Sequence, residues 1–143
     1  MAGTLPRDLF DLALKAQGNA YAPYSNHPVG AAVRTASGAI YAGCNVENAA
    51  LPSGLCAEAS AVAAMVAAGE QDIAEVVVVG PGDALCAPCG SCRQRLNEFA
   101  APETPVYICG PEGLRLETTL GALLPHAFGP RNLGRQDQGE TSE

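Results

Sequence analysis

The sequence predicts an α/β domain in which a mixed sheet lies between helical layers. Helical and strand-like runs alternate along the chain. One β-branched run, Ile73 to Val79, reads as a central strand covered on both faces, and one alanine-rich run, Cys56 to Ala68, is apolar all round and reads as a helix buried on every side. With 143 residues, 48% of them hydrophobic and 16% charged, the chain can bury one sizeable core.

From Thr4 to Ala20 the chain reads as a helix, with Thr4 as N-cap, Pro6 in the first turn, and Leu5, Leu9, Leu12, Ala13 and Ala16 at helical spacing. Tyr21 to Pro28, with two prolines and two tyrosines, is a loop on a fixed irregular path. Val29 to Thr35 and Ala39 to Val46 flank Ala36-Ser37-Gly38 and form a hairpin. Cys56 to Ala68 contains neither Gly nor Pro and is rich in alanine, the best helix former; Gly69 follows as its C′ residue. After the Ile73 to Val79 strand come a loop from Pro81 to Pro88 and a helix from Cys89 to Ala100 with Leu96 and Phe99 facing the core. Pro105 to Cys109 is a strand, Pro111-Glu112-Gly113 a turn, Leu114 to Glu117 a return strand and Thr119 to Leu124 a short helix. Past Pro130 the composition turns polar, so residues 1–130 are expected to form the domain and 131–143 a flexible tail.

The formal charge of −7, with only eight Lys and Arg and seven aromatic residues, argues against a protein that tracks a nucleic-acid backbone or edits polynucleotides. No apolar run approaches the roughly 18 residues of a membrane span. The N-terminus has no signal-peptide layout. The six cysteines are therefore expected in a reducing, cytoplasmic setting, where cysteines bind metal or stay free more often than they form disulfides.

Cys56, Cys89 and Cys92 can supply three thiolates to one Zn²⁺ and leave a fourth tetrahedral position open, as catalytic zinc sites do; a structural site would want a fourth protein ligand. The Cys89-Gly90-Ser91-Cys92 pair alone is as compatible with redox chemistry or core filling. Cys56-Ala57-Glu58 upstream favours zinc, while Cys44, Cys86 and Cys109 read as core residues. Glu58 is the natural proton carrier; the competing reading is a solvated first-turn residue favoured by the helix dipole. Asn45 and Glu47, two apart at a strand end, point the same way, which on its own is also what a polar turn would show.

The C-x-E and P-C-x-x-C pair is the signature of zinc-dependent nucleobase deaminases. Together with Tyr21-Ala22-Pro23-Tyr24-Ser25, Gly43-Cys44-Asn45-Val46-Glu47-Asn48-Ala49 and Leu123-Leu124-Pro125-His126-Ala127-Phe128, it makes the chain resemble the bacterial, homotetrameric-type cytidine deaminases from about Ala20 to Phe128. The resemblance implies a three-layer α/β/α sandwich with a five-stranded mixed sheet. It also implies one Zn²⁺ per subunit, hydrolysis of cytidine and deoxycytidine to uridine and deoxyuridine with release of ammonia, and a homotetramer that shares active sites. By the same resemblance, Asn45 and Glu47 bind the ribose hydroxyls, the Ala57 N–H helps hold the base, and Phe128 closes a neighbouring subunit's site. Bound Zn²⁺ makes water acidic near neutral pH, and Glu58 carries its proton first to ring N3 and then to the departing amine.

Three positions depart from the family's pattern: His27 stands where many members have Phe at the base, Leu51 where many have an aromatic residue, and Ala59 where many have Arg after the catalytic Glu. They keep open deamination of another cytosine-bearing small molecule such as blasticidin S, and a zinc-stapled scaffold without activity remains the non-enzymatic rival. With Ala59 in place of Arg, compensation of the net −1 zinc–thiolate cluster falls to the two helix N-termini and to Arg93, unless Arg93 serves only the fold or a surface ion pair.

Overall fold

The structure, a computed structural model, describes residues 4–135. A five-stranded sheet in the order β2-β1-β3-β4-β5 separates two helical layers. Its strands are β1 (Gly30–Thr35), β2 (Ile40–Cys44), β3 (Ile73–Val79), β4 (Pro105–Gly110) and β5 (Gly113–Thr119). Helix α1 (Arg7–Gln17) covers one face; α2 (Ala57–Ala67), α3 (Gly90–Asn97) and the single turn α4 (Leu120–Leu123) cover the other. The sheet is mixed: β1 runs antiparallel to both β2 and β3, β3 parallel to β4, and β4 antiparallel to β5.

β3 is the central strand its sequence predicts. Val76 and Val78 enter the core under α2 and α3, whereas Val77 and Val79 enter the core under α1 with Leu9, Phe10 and Ala13. Burying such a branched side chain stabilises by roughly 1.5–3 kcal/mol, so a continuous valine run serves both layers at once. Two glycines allow the layers to close. A Cβ on Gly30 would lie 2.0 Å from the Ala13 carbonyl oxygen of α1, and one on Gly43 would lie 2.5 Å from the Ala61 nitrogen of α2.

Several elements differ from the sequence reading. α1 begins at Arg7 with Pro6 in the N-cap position, so Thr4 is not its cap; Pro6 offers no side-chain bond and its fixed φ suits the entry. Phe10 is buried in that helix and Leu12 is 40% exposed, because Leu9, Phe10 and Ala13 form its inner face. β2 stops at Cys44, and a one-turn 3₁₀ helix, Leu51–Ser53, occupies the following connection. Within the single chain α2 is covered on one side: Ala57, Glu58, Ala59, Ala61, Val62 and Met65 are buried and the Ser60 hydroxyl donates to the Cys44 carbonyl, whereas Ala63, Ala64, Val66, Ala67 and Ala68 are exposed. Gly69 does end the helix in the left-handed region, at φ +94°. Thr119 ends β5 and caps α4, its Oγ1 accepting from the Ala122 N–H at 3.2 Å. The start of the polar tail is a 3₁₀ turn, Pro130–Leu133, closed by the Gly129 N–H on Asn132 Oδ1; residues 136–143 of the expected tail lie outside the described residues.

Candidate metal centre and active site

Two helices begin at the same place. Cys56 is the N-cap residue of α2 and Cys89 that of α3, both extended (ψ 157° and 169°) just before their helical turns. Cys92 follows one turn into α3 and is fully buried. The three Sγ atoms lie within 4.8 Å of one another, and they are the one cluster of three or more His, Cys, Asp or Glu ligand atoms found among the described residues. A tetrahedral Zn²⁺ with Zn–S bonds of about 2.3 Å wants sulfurs about 3.8 Å apart, so the donor set fits that ion with little movement.

The electrostatics follow from these positions. Burial would raise the Cys89 thiol, but the Cys92 backbone N–H and the Cys92 and Cys56 thiols outweigh it and hold Cys89 below its ordinary value. Burial pushes Cys56 and Cys92 up, reinforced at Cys92 by the charges of Glu58 and Cys56. Glu58, at the second helical position of α2, is 5% exposed. Its burial raises its carboxyl above the usual range, with its own backbone N–H and the Cys92 thiol opposing. A buried carboxyl whose proton affinity is raised above the usual carboxylate range is suited to take and return a proton. Ala57, 1% exposed, is the first helical residue between ligand and acid.

A second set of residues flanks this centre. Val46 bridges Tyr21 on one side and Leu55 on the other, which keeps the chain after β2 extended and turns Asn45 and Glu47 to the same loop. Asn45 Oδ1 accepts from the Val29 N–H at 2.9 Å, and its Nδ2 donates to the His27 carbonyl at 2.9 Å. Glu47 Oε1 accepts the Tyr24 and Ser25 N–H groups at 2.9 and 3.2 Å, and Oε2 accepts the Ser25 hydroxyl. Tyr24, Ser25, Glu47, Asn48, Leu51 and Gly54 line an open pocket of about 270 Å³. A larger cavity of about 520 Å³, between the end of α3, α4 and the Pro130–Leu133 turn, contains none of the thiols or carboxyls of the centre.

The remaining candidates fall as follows. His27 is exposed, with Nε2 3.7 Å from Cys86 Sγ. Leu51 is 81% exposed in the 3₁₀ turn, and Ala59 is buried. The Arg93 guanidinium donates to two backbone carbonyls, Pro88 and Leu123, each at 2.8 Å, and so ties the residue before Cys89 to α4. The Phe128 ring is 60% exposed, while its carbonyl accepts from the Gln94 and Asn97 amides. Sequence reasoning missed two participants, the Ser25 hydroxyl and the Cys86 contact with His27. Both are made across the fold, and no spacing rule announces them.

Three converging thiols beside a buried carboxyl, at the meeting point of two helix N-termini, are the donor set and acid–base group that a zinc-dependent hydrolytic deaminase requires. The family described as the cytidine and deoxycytidylate deaminase zinc-binding region matches residues 5–108. A cytidine deaminase of Sporosarcina psychrophila is 42% identical over 119 residues, covering 83% of this chain and 88% of that protein. The crystal structure of cytidine deaminase from Burkholderia pseudomallei superposes with a TM-score of 0.81 at 41% identity, covering 87% of this chain and 100% of that one. The cytidine deaminase structure from Mycobacterium tuberculosis gives a TM-score of 0.74 at 36% identity, covering 88% and 99%. The chain belongs to the zinc-binding cytidine and deoxycytidylate deaminase family.

Proposed function

We propose that this chain hydrolyses cytidine and deoxycytidine to uridine and deoxyuridine with release of ammonia, in nucleoside salvage in the cytoplasm, with one Zn²⁺ per subunit held by Cys56, Cys89 and Cys92. The observation that carries the reading is the convergence of the three sulfurs beside buried Glu58. When bound, Zn²⁺ supplies the Lewis acidity that makes water acidic near neutral pH. Glu58 takes one proton from water as the oxygen bonds to C4 of the pyrimidine and passes it to ring N3; it then takes the remaining proton from the C4 hydroxyl and delivers it to the amino group as the C4–N bond breaks, leaving a C4 carbonyl and ammonia. The Ala57 N–H and the His27 side of the loop hold the base, and Asn45 and Glu47 take the sugar hydroxyls. Asn45 retains a second amide N–H and Glu47 retains acceptor capacity beyond the bonds they already make, so each can hold a ligand without releasing the loop. Arg93 acts as a positioning residue for the Cys89 turn, and its charge supplements the two helix ends in offsetting the thiolates.

A homotetramer is the assembly we propose. The exposed Ala63, Ala64, Val66 and Ala67 on α2 and the exposed Phe128 ring are apolar surface that further copies would cover, Phe128 closing a neighbour's site. Sedimentation of the full chain at micromolar concentration tests this, and a single monomeric species would remove it.

The activity test is loss of the cytidine ultraviolet band by the zinc-loaded protein, with deoxycytidine and blasticidin S run alongside. We expect both nucleosides to be consumed and blasticidin S spared, with Glu58→Ala lowering turnover by roughly 10²–10⁴-fold at unchanged zinc content. Full zinc without turnover of either nucleoside would leave a zinc-stapled scaffold instead.

A further inference from the structure

His27 and Cys86 come from two loops that leave the same end of the sheet. Gly30, three residues after His27, pairs with Val79. Gly80 follows directly, and Cys86 packs so closely on it that a Cβ there would lie 2.1 Å from Cys86 Cβ. The imidazole is exposed, the thiol half-buried, and Nε2 and Sγ stand 3.7 Å apart. A tetrahedral Zn²⁺ with one sulfur at about 2.3 Å and one imidazole nitrogen at about 2.0–2.1 Å sets those atoms about 3.5–3.6 Å apart, so the pair is already spaced as two ligands of one soft divalent cation. Burial first, and then Glu58 against the opposing Arg115, raise the Cys86 thiol, and the Glu47 carboxylate acts on the His27 side, so two carboxylates face the pair.

We propose that His27 and Cys86 form a second, weaker site for a soft divalent cation, Zn²⁺ itself when in excess, beside the catalytic centre, and that its occupancy inhibits the enzyme. The cation binds Cys86 Sγ as the thiol gives up its proton to solvent, takes the lone pair of His27 Nε2, and keeps water in its remaining positions. Bridging two loops that flank the centre, it withdraws His27 from the base and narrows the approach to Glu58. The inference rests on the reading of Cys56, Cys89 and Cys92 as the catalytic zinc site, which is filled first because it offers three thiolates rather than one.

The test counts metal on the zinc-loaded full chain. Protein dialysed against zinc-buffered solutions is assayed by plasma mass spectrometry and, in parallel, for cytidine turnover. We expect one equivalent at trace free Zn²⁺ and a second at micromolar levels, with turnover falling as the second fills. Cys86→Ser should keep the first equivalent and its turnover and bind the second at least about 10–100-fold more weakly, the loss that even an outer-shell partner causes. His27→Phe should lose the second equivalent in the metal count, whereas His126→Ala should retain it. Added Co²⁺ should give a sulfur-to-metal charge-transfer band in the wild type that Cys86→Ser lacks. A wild-type chain that stops at one equivalent, or a second equivalent that survives both Cys86→Ser and His27→Phe, overturns the proposal. Absence of turnover at one equivalent would instead overturn the deaminase reading, so the two failures are distinguishable.

Discussion

Cys56 and Cys89 hold their sulfurs where two helices begin, whereas Asn45 and Glu47 stand on a connection without regular structure, and different forces keep the two pairs in place. The helix starts are set by whole-element packing: α2 lies against Gly43 with no room for a Cβ, and Leu96 of α3 is fully buried. The connection is held by single side-chain bonds, with Asn45 and Glu47 gripping the loop from Tyr24 to Val29. The metal half is therefore redundant in its support and exacting in its ligands. The half proposed to face the sugar is the reverse, because Asn45 and Glu47 themselves hold the loop they would present to a ligand.

The comparison is broken most easily at the ligands. Cys89→Ser or Cys92→Ser should lose both zinc and turnover, while Cys86→Ser keeps both at trace free metal; metal content by mass spectrometry decides it, and retained zinc in either ligand variant would shift the register of the centre. Arg93→Gln comes next. It removes charge-assisted bonds to the Pro88 and Leu123 carbonyls, each worth about 1.5–3 kcal/mol where partly buried, so urea stability should fall by a few kcal/mol and turnover should fall at unchanged zinc. Adding Ala59→Arg restores charge but not those bonds, so recovered turnover would mean that charge at the thiolates, rather than placement of the Cys89 turn, is what Arg93 supplies.

Asn45→Ala should cost about 1–3 kcal/mol, since the Val29 N–H loses its acceptor at the edge of the core. It should also raise KM with zinc content unchanged; unaltered stability would mean that the loop does not depend on Asn45. The smallest effect concerns Glu47. The Ser25 hydroxyl, aided by the Tyr24 and Ser25 N–H groups against the opposing effect of burial, holds this carboxyl below its ordinary value of 4.5. A depressed value contributes stability above that pH and loses it as pH falls through the folded value. The Tm difference between wild type and Glu47→Gln should therefore be constant above pH 4.5 and close below it, and a difference that persists in acid would assign the effect to packing.

These contrasts also explain what could be read in advance. The sheet and its helices were legible because Val76 to Val79, the Ala57–Ala67 run and the turn glycines Gly38 and Gly69 each carry a local physical reason for their conformation. Cys56, Glu58, Cys89 and Cys92 were legible because helix-start geometry lets short motifs fix where side chains converge. The loop bonds of Asn45 and Glu47, the Arg93 bond to Leu123 and the Cys86–His27 contact join residues 16 to 59 positions apart. Such pairings depend on the finished fold rather than on local spacing. The cover of the exposed side of α2 was not legible for a related reason: apolar composition says that a helix wants cover, but not whether its own chain or another copy provides it.

The sheet's parallel β3–β4 pairing has a consequence for the order in which the molecule assembles. Antiparallel neighbours such as β1 and β2, or β4 and β5, close across short turns, whereas β4 can join β3 only after the chain has crossed over through α3. Cys89 and Cys92 lie inside that crossover and Cys56 lies ahead of β3, so the three sulfurs meet only when this long-range step is nearly finished. A zinc ion held by these sulfurs would therefore slow unfolding more than it speeds refolding, a latch on the finished fold rather than a nucleus for it.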